Sequence, residues 1–153
     1  MLALAAGIAA IAAALPAGAH VRLSPRSVAG GIRTDLTFRC PTERSNTPTV
    51  KLVVQVPVGA SLGTVSVPPK RGWRVRIATR GRAIDTITWE GGSIPPGSFA
   101  TFVIHAGPLP AGPQTLFFRA IQTYGDGEVV RWIEERAPGE GEPPFPAPAL
   151  TVR

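Results

Sequence analysis

Proline and glycine, seventeen of each, break this chain into short runs. Beyond residue 19 no stretch keeps the 3.6-residue period of a helix. The runs are rich in Val, Ile, Thr and aromatic residues, and the best of them alternates: Val50, Leu52, Val54 and Val56 are interleaved with Lys51, Val53 and Gln55. A period of two turns one face to a core and the other toward water. Predicted strands are Val21–Leu23, Thr34–Arg39, Thr49–Val56, Thr64–Val67, Trp73–Ala78, Thr86–Trp89, Phe99–Ala106, Thr115–Tyr124 and Val129–Glu134. Turn signals separate them at Ala29-Gly30-Gly31, Pro57-Val58-Gly59, Arg71-Gly72, Gly91-Gly92, Pro95-Pro96-Gly97, Pro110-Ala111-Gly112-Pro113 and Asp126-Gly127. Short strands at near-regular spacing predict an all-β fold, a sandwich of immunoglobulin or cupredoxin type.

The chain opens differently. Residues 2–15 are uncharged and apolar, Pro16 ends the run, and Ala17 and Ala19 fill the −3 and −1 positions of an A-x-A cleavage site. The stretch is short for a membrane span and has signal-peptide flanks, although no Lys or Arg precedes it; either the leader is weak or, the favoured reading, the start codon lies further upstream. The competing reading is a plain N-terminal core helix. A signal peptide over 1–19 predicts a secreted or extracytoplasmic protein, in the periplasm or at the cell surface. The predicted organisation continues with a sandwich domain over 20–136 and a Pro/Gly/Glu-rich tail over 137–153, whose end, Ala149-Leu150-Thr151-Val152, has strand character.

Composition removes several functions. The single cysteine, Cys40, excludes an intramolecular disulfide, and its place in Leu36-Thr37-Phe38-Arg39-Cys40 reads as a buried strand position rather than a metal thiolate. The net charge of +6 and pI near 11.0 suggest nucleic acid, but the arginines are scattered and alternate with apolar residues, so no nucleic-acid partner is predicted. A blue-copper carrier needs two histidines, a cysteine and usually a methionine. Here the only methionine is Met1. A serine hydrolase lacks its nucleophile elbow, and a zinc hydrolase lacks ligands, since His20 and His105 are the only histidines. His105, in Val103-Ile104-His105, reads as a structural strand residue. No enzyme is predicted.

What survives is the amino terminus. Cleavage after Ala19 would leave His20 first, and its α-amine and ring Nδ1 can close a six-membered chelate on one metal ion. Amine and imidazole nitrogens suit Cu(II), the tightest-binding divalent ion of the first-row series. The α-amine has an ordinary pKa of about 7.7–8.0. Protons therefore compete with the metal, and affinity should fall with pH. His20-Val21-Arg22 lacks a histidine in third place, which excludes the albumin-type copper motif.

Motifs through the rest of the chain are similar to those of the YcnI-type copper-binding family, secreted bacterial domains often encoded beside copper-uptake proteins. They are His20-Val21 with Pro25, Ala29-Gly30, Phe38-Arg39-Cys40-Pro41-Thr42-Glu43-Arg44 beside the family's F-R-V-P-N-E-R, and Thr49-Val50-Lys51. Next come Pro69-Lys70-Arg71-Gly72-Trp73, Ile87-Thr88-Trp89, Gly91 to Phe99, and Gln122-Thr123-Tyr124-Gly125-Asp126-Gly127 with Val129-Val130-Arg131-Trp132, the most specific block. The resemblance implies a cupredoxin-like sandwich binding one Cu(II) through a brace made by a single histidine, His20, with Trp132 close by and an acidic ligand. The family's carboxylate near its F-x-x-F pattern is missing, because Pro95 to Phe102 holds no Asp or Glu. Glu43, in a matched motif, is the candidate instead, with Asp126 behind it because hairpin geometry already accounts for that residue. Each has a plainer reading: Trp132 as core, Glu43 as a surface charge paired with Arg44 or Arg39, and Trp73 and Trp89 as packing residues. The implied role is copper homeostasis or chaperoning, with the copper ion and a membrane copper transporter or second copper-binding protein as partners. The alternatives are a copper-dependent oxidase resembling lytic polysaccharide monooxygenases, with His105 completing its brace, and a metal-free adhesion sandwich.

Overall fold

The computed structural model describes residues 20–57 and 59–153; the predicted leader lies outside the described residues. Its strands are β1 (Arg22–Ser24), β2 (Ser27–Val28), β3 (Thr34–Pro41), β4 (Thr49–Gln55), β5 (Thr64–Ser66), β6 (Arg74–Arg80), β7 (Ala83–Ile94), β8 (Phe99–Gly107), β9 (Gln114–Phe117), β10 (Arg119–Tyr124), β11 (Val129–Trp132) and β12 (Ala149–Val152). They form a four-stranded sheet β1-β3-β8-β5, a five-stranded sheet β11-β10-β4-β7-β6 and a small sheet β2-β12-β9. The two larger sheets meet face to face. Trp89 of β7 tilts against Phe102 of β8 with centroids 5.2 Å apart, and Phe38 of β3 meets Phe118 edge-on at 5.6 Å. Leu36, Phe38, Leu52, Val54, Ile87, Phe102 and Ile104 fill the space between. This is a β-sandwich.

One turn signal and one strand resolve differently from the expectation. Gly91-Gly92 lies inside β7, at a bulge where the β4 register slips between Thr49 and Lys51. Gly91 takes a φ of 78°, and a Cβ on Gly92 would come within 2.2 Å of the Trp73 indole, so these glycines let the strand kink and the indole lie flat against it. The run predicted as one strand over Thr115–Tyr124 is two. The chain changes sheet at Phe118, whose N–H makes the last rung toward β12 by donating to the Pro148 carbonyl at 2.8 Å, before Arg119 pairs with Gln55 of β4. The hairpin at Asp126-Gly127 forms as expected, with Gly127 at φ 90° and the Asp126 carboxylate accepting from the Glu128 N–H at 3.0 Å. The last residues re-enter the fold, since β12 runs between β2 and β9, parallel to the first and antiparallel to the second.

The bulge has a consequence for the core: it turns Thr49 inward beside Gln122, and both are fully buried. Gln122 Nε2 donates to the Pro41 carbonyl at 2.8 Å and to Thr49 Oγ1 at 2.7 Å, while its Oε1 accepts the Trp132 indole N–H at 3.0 Å. Thr42 closes the cluster, with its hydroxyl 2.7 Å from that of Thr49 and donating to the Ile94 carbonyl at 3.1 Å. Every polar end of the Gln122 amide is used, which is the condition for burying it.

Gln122→Leu should therefore destabilise the fold by about 1–3 kcal/mol for each group it leaves unpaired, chiefly the Pro41 carbonyl and the Trp132 N–H; urea unfolding measures this, and a neutral variant would show the cluster to be dispensable. Cys40 is fully buried, and burial alone pushes its thiol up to about 12 from 9.0. The unfolded chain gives up that proton first, so the thiol's share of stability is intact below pH 9.0 and is lost as pH climbs toward 12. Unfolding free energies across that window should fall less steeply in Cys40→Ala than in the parent.

Candidate metal centre

His20 lies just before β1, at one edge of the four-stranded sheet, and Trp132 ends β11, at one edge of the five-stranded sheet. The two edges meet here. The His20 ring sits 5.4 Å from the Trp132 ring at a 55° tilt, and on the indole a second ring, Phe145, lies at 5.7 Å. Trp132 is 2% exposed and is held from within by Gln122, so the indole is both core and the neighbour of His20. The Gln122–Trp132 pair belongs to the most specific block of the sequence, and the structure gives that block its physical reason.

His20 is itself only 6% exposed. Its Nδ1 is the one buried side-chain nitrogen or oxygen among the described residues that makes no hydrogen bond. Leaving such an atom unpartnered costs roughly 1–3 kcal/mol, so the position is one that a ligand would relieve. Nδ1 lies 3.5 Å from Oε1 of Glu142, a charge-pairing distance without hydrogen-bond geometry.

Glu142 arrives from the segment after β11, which folds back over this corner. The Glu134 N–H donates to the Phe145 carbonyl at 2.9 Å, the Ala147 N–H to the Glu134 carbonyl at 2.8 Å, and the Phe145 N–H to Oε2 of Glu134 at 2.7 Å. Arg136 Nε donates to the Glu140 carbonyl at 2.8 Å. Between this loop and β1 lies a cleft of about 190 Å³ whose polar wall is His20, Arg22, Arg26, Glu134, Arg136 and Glu142. A larger cleft of about 460 Å³ near Arg119 and Glu135 has no imidazole, and those two charges pair at 3.1 Å. Chemistry rather than volume singles out the smaller one.

The other sequence candidates are dispersed. Glu43 is exposed, follows the end of β3 beside the Pro95–Ser98 turn, and does not line the His20 cleft. It pairs with neither Arg44 nor Arg39: Arg44 binds Glu128 and covers the Tyr124 ring, and Arg39 stacks over Phe99. Asp126 serves its hairpin. His105 is half exposed on β8 with Nδ1 2.5 Å from Asp35 of β3, and from Pro41, near the level of His20, to Asp35 the strand runs about 20 Å at ~3.3 Å per residue. Among the described residues no three His, Cys, Asp or Glu side chains gather into a metal cage. A site at His20 would need a nitrogen from the main chain.

Glu142, Phe145 and Gln122 escaped the sequence reading. One signal was present: an aromatic residue in Pro143-Pro144-Phe145-Pro146 has no reason to be there unless it docks on something.

Comparison with known proteins fits this fold. An uncharacterized protein from Nocardia farcinica, whose crystal structure reveals an immunoglobulin-like fold, is 34% identical, with a TM-score of 0.76 over 87% of this chain and 97% of its own. A cohesin module from a Clostridium perfringens family 33 glycoside hydrolase shares the fold at 12% identity, with a TM-score of 0.55 over 88% of this chain and 94% of its own. No curated protein matches. The profile of the domain of unknown function DUF1775 covers residues 20–152, beginning at His20 and ending with the last strand, and the chain belongs to that family.

Proposed function

We propose that this protein binds Cu(II) outside the cytoplasmic membrane, holding or passing the ion rather than turning over a substrate. DUF1775 is the YcnI family, so the motif resemblance and the family membership point the same way. The observation that carries the reading is the buried, unpartnered Nδ1 of His20, facing a cleft at the residue where cleavage after Ala19 would start the mature chain. In that mature chain the α-amine stands on the same residue, so both nitrogens of the chelate arrive together and already ordered against Trp132. Ordering donors before the metal arrives lowers the entropy cost of binding. A carboxylate would complete the set; Glu134 and Glu142 line the cleft and Glu43 does not.

Binding is favoured over oxidase chemistry because the second imidazole, His105, is engaged by Asp35 well away from His20. The ion is cargo in this scheme. It would be received from or handed to a membrane copper transporter or another copper-binding protein.

The test is chelator-competition titration of protein beginning at His20. Adding one residue before His20 turns the amine into an amide, and this variant and His20→Ala should each weaken Cu(II) binding by more than the roughly 10–100-fold that loss of a merely orienting neighbour costs. His105→Ala should leave affinity unchanged. Equal affinity for the extended and parent proteins would sink the brace.

A further inference from the structure

The two edges of the five-stranded sheet carry opposite charge. Residues 70–90, which hold β6 and most of β7, contain six basic and two acidic residues, a net of +4 out of the chain's +6. Residues 126–142, around and beyond β11, contain six acidic and two basic residues, a net of −4. β6 and β11 are the outermost strands, about 19 Å apart across four inter-strand gaps. Arginines that look scattered in the sequence are gathered by the fold at one end of the molecule. We infer that the β6 edge is a docking surface for an anionic phospholipid bilayer, which would hold the protein with its β11 edge and the His20 cleft turned away from the membrane; this does not depend on the copper reading.

The basic groups of this edge face outward while its acids are tucked beneath them. Oε1 of Glu90 lies 3.3 Å from Arg74 Nε and 2.8 Å from Arg76 Nε, and Asp85 Oδ1 lies 3.1 Å from Arg80 Nη2. The three arginine side chains are 68–70% exposed, against 18% for Glu90 and 21% for Asp85. The carboxylates thus orient the guanidiniums without covering them. Glu90 also has Lys51 opposite it on β4. Arg71 and Arg82 are exposed and form no ion pair among the described residues.

Between these charges stands Ile77, 48% exposed on a strand that pairs with β7 alone. An apolar side chain flanked by guanidiniums on long alkyl stems suits the boundary between phosphates and acyl chains. Clusters of four to eight Lys or Arg carry enough charge to hold a protein on anionic lipid.

Other polyanions fit less well. Nucleic-acid surfaces interleave charge with free aromatic faces for the bases. Trp73, the one aromatic residue of β6 and its approach, is packed edge-on against Phe102 at 5.0 Å and covers Gly92. A second copy of the chain would have to offer its acidic end, and that end is largely spent: Glu128 binds Arg44, Glu135 binds Arg119, Glu134 holds the Phe145 N–H and Asp126 caps its own hairpin.

The experiment sediments copper-free protein beginning at His20 with vesicles of mixed phosphatidylglycerol and phosphatidylcholine, and with phosphatidylcholine alone. The parent should bind only the mixed vesicles and come off as added salt screens the charge. Arg71→Gln/Arg80→Gln/Arg82→Gln should weaken binding about a hundredfold, roughly fivefold for each charge. Arg44→Gln/Arg119→Gln/Arg131→Gln removes the same charge from outside the hairpin and should weaken it by less than about fivefold. Ile77→Ser should cost about tenfold and leave the salt dependence unchanged. Equal losses in the two triple variants would show net charge rather than the β6 edge at work and overturn the surface. Full binding by Ile77→Ser, with duplex DNA or polyglutamate captured as well as vesicles, would reveal a general polyanion site and overturn the bilayer. Binding to pure phosphatidylcholine, or sedimentation of the parent without vesicles, would overturn it too, the second by showing another copy of the chain as the occupant.

Discussion

One buried amide holds the corner of this sandwich that carries the candidate site in place. Gln122 sits on β10 in the middle of an apolar interior and reaches three ways, to the Pro41 carbonyl at the end of β3, to Thr49 on β4 and to the Trp132 indole at the end of β11. A hydrophobic side chain of the same size would fill the space but could not choose between orientations of the indole. The amide ties both sheets and their adjoining edges into one arrangement. His20 is then placed by the face of an indole that is itself placed from inside.

That corner is also where the sandwich has an edge to hide. β1 and β11 each pair on one side only, and an unpaired strand edge invites association with other chains. Here the segment after β11 folds back, bonds at Glu134 and docks Phe145 on Trp132. Edge protection and placement of Glu142 come from the same loop. On the opposite side of the five-stranded sheet, β6 is guarded by charge: Arg74 and Arg76 flank Glu90 at 3.3 and 2.8 Å, and Arg80 meets Asp85 at 3.1 Å. The scattered arginines of the sequence are in part this edge.

The all-β architecture was legible because its signals are local. Proline and glycine forbid long helices, and alternation such as Leu52 and Val54 against Lys51 and Gln55 reports a face directly. Failures came where one residue type serves two purposes. Gly91-Gly92 has turn chemistry, yet a bulge inside β7 needs the same positive φ and missing Cβ. The break at Phe118 had no local mark, since the residues before it pair with β12 and those after it with β4, partners distant in the chain. The candidate site divides the same way. His20 was nominated by its place after Ala17-Gly18-Ala19 and Trp132 by a motif, and their rings lie side by side, but Glu142 is one glutamate in a Pro-rich tail, and only the return of that tail sets it beside His20.

A chain with two histidines and one fully buried cysteine has few side chains with which to hold a borderline divalent ion such as Cu(II). The thiol is unusable, because burial keeps it protonated far above neutral pH. His105 is occupied by Asp35. In the proposed site a second nitrogen donor would come from the backbone, where a free terminal amine offers its lone pair without the deprotonation that an amide nitrogen, delocalised into its carbonyl, requires. A site built on that amine belongs at the edge of the fold, where a terminus can lie without displacing core, and an edge site is open to water. The Trp132 face on one side and the Glu142 loop on the other convert that open edge into a cleft.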